Sequence, residues 1–150
     1  GRKMSPGGSQ QSPQGAAGMA AGDAERQEEP PSEGTEVLLD MSPLDGLPPA
    51  AIGRLVTLFY NDAVSGAPIK LAAIEADLVS GVAVKDPGMQ HSLHQLVGAS
   101  LQSGAKAFAM SVRAFKENPP EGKDLQSGEI DRLRKLLDAS DRAAHERGYF

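Results

Sequence analysis

The sequence predicts an all-α protein, a small antiparallel helical bundle of about five helices preceded by a disordered leader. Three observations carry that reading. Val, Ile, Leu, Phe and Tyr are missing before Val37 and frequent after it. Beyond that point apolar residues recur at helical spacing, three or four residues apart. The periodic runs are separated by short breaks that contain Gly or Pro.

Residues 1–36 form the leader and residues 37–150 the bundle. The leader holds seven Gly and four Pro, and its only apolar residues are Ala and Met. A segment with so little to bury cannot offset about 1–2 kcal/mol of backbone entropy per residue, so it is expected to be disordered. Asp23, Glu25, Glu28, Glu29, Glu33 and Glu36 make it acidic. Ser5-Pro6 and Ser12-Pro13 fit proline-directed phosphorylation, although an acidic linker is the simpler reading.

The first helix follows Leu47-Pro48-Pro49, where Ile52, Leu55, Val56 and Phe59 form a stripe. Proline is tolerated there because first-turn N–H groups lack helical partners. The second opens at Ala67-Pro68, lines up Leu71, Ile74 and Leu78, and closes at Ser80-Gly81. Val82-Ala83-Val84 is an apolar connector that has strand character but no partner strand. The third begins at Asp86-Pro87, a capping carboxylate followed by a first-position proline, and carries Met89, Leu93, Leu96, Val97 and Leu101. The fourth places Phe108, Val112 and Phe115 on one face beside Ala105 and Ala109, and Asn118-Pro119-Pro120 ends it. The fifth starts between Asp124 and Ser127, buries Ile130, Leu133, Leu136 and Leu137, and frays between Ala144 and Gly148. Asp131–Lys135 and Arg134–Asp138 are expected as i, i+4 pairs on its wet side.

Composition and motifs argue against most chemistries. The 150 residues include no Cys and no Trp, which excludes disulfides, thiolate metal sites and cysteine nucleophiles. The net charge is −5, which disfavours direct nucleic-acid binding. Arg132, Arg134 and Lys135 alternate with acids and read as a solvated face. His91 and His94 share a helical face at i, i+3 but have no nearby third ligand, so no metal and no cofactor is expected. Neither a P-loop nor a nucleophile elbow is present, and the chain is read as not an enzyme. No apolar run is long enough for membrane insertion.

Residues 37–47 stand apart. Val37, Leu38, Leu39, Leu44 and Leu47 are too dense for a linker and too broken by Pro43 and Gly46 for a regular helix. They fit either a cap on the bundle or a docking segment for a partner. The candidate protein-binding residues are Leu38, Leu39, Leu44 and Leu47, together with Tyr149 and Phe150 beyond the stop at Gly148.

The order of motifs carries a resemblance. Lys70-Leu71-Ala72-Ala73-Ile74 through Asp77-Leu78 precedes the Lys85-Asp86-Pro87 helix start. Ser92-Leu93-His94-Gln95-Leu96-Val97 follows, then the turn Gln102-Ser103-Gly104, then Ala109-Met110-Ser111-Val112, a Pro-rich loop and a Leu-rich helix. Across roughly residues 68–142 this resembles the carboxy-terminal helical domain shared by the large outer-coat subunit of coat protein complex II and the steroid receptor RNA activator protein. Where the activator branch carries Trp in its last helices, this chain leaves the space to Ile130 and Leu133. The resemblance implies no catalytic residues. Its coat branch implies a helical protein–protein interaction module, a scaffold for vesicle-coat assembly in ER-to-Golgi transport, cytoplasmic and placed at endoplasmic reticulum exit sites with secretory-pathway proteins as partners. Its other branch implies a nuclear, RNA-associated transcriptional coregulator.

Amide exchange tests the leader directly. Residues 1–36 are expected to exchange at unprotected rates in the full chain, and measurable protection there would refute the reading.

Overall fold

The computed structural model describes residues 38–150, so the expected leader disorder falls on residues outside the described range. The described chain contains one 3-10 turn, Ser42–Leu44, and five α-helices: α1 Pro49–Asn61, α2 Ala67–Val79, α3 Pro87–Gln102, α4 Lys106–Glu117 and α5 Lys123–Glu146. Among the described residues there is no strand, and Val82-Ala83-Val84 is a turn-rich connector whose Val84 is buried.

Each helix starts where local chemistry favours it. Pro occupies the first turn of α1, α2 and α3. Asp86 caps α3 by accepting from the N–H groups of Gly88 (3.0 Å) and Met89 (3.4 Å). Between α1 and α2, the Asp62 carboxylate accepts from the Ser65 N–H (2.7 Å), the Ser65 hydroxyl (2.8 Å) and the Val64 N–H (3.1 Å). Those bonds hold its pKa below the ordinary carboxylate value.

The most extensive interface joins α3 and α4, an antiparallel hairpin closed by residues 103–105. Leu93, Leu96, Val97, Phe108, Val112 and Phe115 supply the bulk, and the fully buried Ala105 and Ala109 fill what remains. Side chains tie the far end of the hairpin. Lys85 Nζ donates to the carbonyls of Lys116 (3.2 Å) and Glu117 (2.8 Å), and Gln90 Nε2 donates to those of Val84 (2.9 Å) and Lys116 (3.0 Å). The bonds to Lys116 and Glu117 satisfy carbonyls that α4 leaves open at its C-terminus. Packed on the hairpin, α2 and α5 run antiparallel to each other. Arg134 links them through Glu75 (2.5 Å).

Most of the expected core is buried, and three placements differ from what the spacing predicts. In α1, Leu55 is 43% exposed while Tyr60 is buried, so the buried positions are Val56, Phe59 and Tyr60 with Ile52 packed at the edge. The inner stripe is rotated one position around the helix because α1 packs chiefly on α2. In α5, Arg134 bonds Asp131 at i, i+3 (2.9 Å) and Glu75 on α2, where spacing alone pointed to Asp138. A planar guanidinium can span two carboxylates, and the tertiary partner lies within its reach. A further ion pair on α5 joins Arg132 to Glu129. Ala143 and Ala144 are buried, so α5 stays packed to its last turn.

The hairpin makes a sharp test. Leu96 and Val112 are fully buried on facing helices. Leu96→Ala is expected to cost about 2–5 kcal/mol in denaturant unfolding, and Val112→Ala a smaller but clear amount. Changes under about 0.5 kcal/mol at both positions would place the core elsewhere.

Candidate protein-binding surface

The six residues singled out by sequence separate into three groups. Leu39 and Leu44 are buried in the main core, and Leu38 packs against it. The segment is pinned over the α3–α4 turn, where the Asp40 N–H donates to the Gly104 carbonyl (2.9 Å) and the Ala107 N–H donates to the Leu38 carbonyl (3.2 Å). Between the two readings of this segment, its placement is that of the cap. Leu47 lies past the 3-10 turn and is 40% exposed. Tyr149 and Phe150 are partly buried against the core, at the α1 side of the molecule.

Sequence spacing did not single out Leu55 and Leu58 as surface residues, yet both are exposed on α1, at 43% and 48%. Helix α1 therefore shows apolar side chains on both sides. Its inner side carries Val56, Phe59 and Tyr60, and its outer side carries Leu55 and Leu58, with Leu47 just before the helix. Arg54 is the only charged residue in its 13 positions. The other large exposed apolar residues, Val64, Ile69, Val79, Met110 and Leu125, are spread over several elements, as single surface residues usually are.

The tail is built onto the inner side of α1. Gly148 takes φ 79°, and this left-handed turn ends α5. The Gly148 N–H donates to the His145 carbonyl and the Tyr149 N–H to the Ala144 carbonyl, both at 3.0 Å. This six-to-one closure redirects the chain across the helix end. The Phe150 ring then stacks on Tyr60, with centroids 5.6 Å apart and planes 14° apart, and meets the His145 ring at 3.9 Å. His145 Nδ1 is 3.1 Å from the Asp141 carboxylate. Phe59 packs edge-on against Tyr60.

The Tyr60 hydroxyl lies buried near Ser140 and Asp141 without a hydrogen-bond partner of good geometry. Ser140 itself donates to the Leu136 carbonyl at 3.0 Å. An unsatisfied buried donor costs about 1–3 kcal/mol. Burial raises the Tyr60 pKa well above its ordinary value, and the Asp141 charge raises it further.

Elsewhere the geometry is plain. A cleft of about 260 Å³ lies between the C-terminal end of α2 and the N-terminal end of α5, lined by Leu78, Val79 and Ile130 with Glu75, Lys123 and Asp124 among its polar residues. That volume falls below the usual range of small-molecule sites, and a roomier depression of about 610 Å³, open to solvent, lies between residues 83–85 and 117–122. His91 and His94 are exposed on α3, and among the described residues no three metal-ligating side chains converge. No described helix is long and apolar enough to cross a membrane.

The raised Tyr60 pKa has a signed consequence. In the unfolded chain the phenol loses its proton near pH 10, while in the folded chain it keeps it. The folded state then holds more protons, so stability falls as pH rises above about 10. Melting curves of the full chain and of Tyr60→Phe should diverge above that pH, with the variant losing less; parallel curves would refute the assignment. Compared with known proteins, the chain matches no family model, no curated protein and no solved structure.

Proposed function

We propose that this domain is a non-enzymatic helical protein–protein interaction module that contacts its partner through the outer side of α1. The observation that carries the reading is the pair Leu55 and Leu58, one turn apart on α1 and both exposed outside its buried stripe. A helix that is apolar on both sides normally has neighbours on both. Here the inner side packs on the domain and the outer side faces solvent. Neighbouring exposed apolar side chains of this kind are suited to a contact surface.

The setting we propose is assembly of a vesicle coat in transport from the endoplasmic reticulum, with cytoplasmic coat or secretory-pathway proteins as partners. Its support is the resemblance across residues 68–142, which spans α2 to α5 and leaves α1 as an addition in front. The chain departs from the activator branch in having no Trp in its last helices, where Ile130 and Leu133 are buried instead.

Affinity purification with the full chain tests both levels. Coat or secretory components are expected, and nuclear ribonucleoproteins would replace this setting with the RNA-associated coregulator. A Leu55→Ser, Leu58→Ser double variant should lose most of that capture. Its stability should change by no more than about 1 kcal/mol, because both side chains are exposed. Undiminished capture would remove α1 as the contact face.

A further inference from the structure

We infer that the Gly148–Phe150 turn is a strap that holds α1 on the bundle and can release it without unfolding the rest. Three features of the packing lead there. Among the described helices α1 has one major neighbour, α2, whereas α4 packs on both α3 and α5, and α2 on both of those as well. The strap lies along one face of α1: the Tyr149 carbonyl sits 3.3 Å from where a side chain on Gly53 would begin, and the Phe150 ring stacks on Tyr60. Gly53 and Tyr60 are seven residues apart, two turns along the same face, about 10 Å. The strap thus spans half of α1 from an anchor on the last turn of α5.

The third feature is that closure works against itself. With α1 packed on the bundle, the Tyr60 hydroxyl is buried near Ser140 and Asp141 without a hydrogen-bond partner of good geometry. Release of α1 from the bundle gives that hydroxyl access to water, so part of the cost of opening is returned. A strap with this built-in opposition is poised for local release, in the way that low-stability segments open ahead of a core. His145, held beside Asp141, forms the other wall of the Phe150 contact and fixes where the ring must sit.

Hydrogen exchange on the full chain tests the strap without any partner. In Phe150→Ala, amides of α1 are expected to exchange at least tenfold faster, while those of residues 93–115 in the α3–α4 hairpin stay within twofold. Phe150→Leu, which keeps apolar bulk but not the ring stack, should fall between. Tyr60→Phe removes the orphaned hydroxyl and should slow α1 exchange. The inference is overturned if α1 rates are unchanged in Phe150→Ala, if α1 and hairpin rates rise together, or if Tyr60→Phe accelerates α1. None of these readings depends on the proposed partner, so the interaction reading and the strap can fail separately.

Discussion

The seam between α3 and α4 is the surface on which α2, α5 and the segment from Leu38 to Leu44 rest. Two helices joined by three residues have little freedom in how they pack, and here the choice is narrowed further by composition. With four Phe, two Tyr and no Trp in the chain, the core is filled chiefly by Leu and Val, with Ala105 and Ala109 fully buried among them. Phe108 and Phe115 are its largest fully buried side chains. Small residues let backbones come near, and every vacancy left by a lost methyl group is then hard to refill. The hairpin is tied at both ends by different means, by Lys85 and Gln90 at one and by the cap from Leu38 to Leu44 at the other. Segments 38–44 and 85–90 are therefore parts of one clamp although they are far apart in sequence.

The fold was largely legible because each start and stop signal is local. Asp86-Pro87, Ala67-Pro68 and Pro48-Pro49 mark helix beginnings through groups within three residues of each other, and the structure keeps all three. Residues whose placement depends on a distant partner were harder. Arg134 had an acceptable partner at i, i+4, but Glu75 across the α2–α5 interface was within reach. Leu55 fits the helical stripe as well as Tyr60 does, and only the position of α2 and the tail decides which of them is buried.

The same limit governs the candidate surface. Leu39 and Leu44 look like docking residues when the turn they cover is out of sight, and become core residues once it is present. Tyr149 and Phe150 look like loose aromatics until the left-handed turn at Gly148 sends them back over α1. Leu58 gave no signal, since an apolar residue in an amphipathic helix is ordinarily assigned to the inside. Helix α1 is the element where sequence periodicity and tertiary packing differ most, and it is also the element with apolar side chains on both sides.

The placement of the tyrosines makes the molecule its own optical probe. With no Trp in the chain, ultraviolet emission near 300 nm comes from Tyr60 and Tyr149 alone. Both belong to the contact between α1 and the chain that follows Gly148. A change in emission or in near-ultraviolet circular dichroism from tyrosine reports that corner of the domain and is silent about the α3–α4 seam. Far-ultraviolet signal, dominated by the helical backbone, reports the whole bundle. The two wavelengths therefore separate movement of one helix from loss of the fold, with no label added.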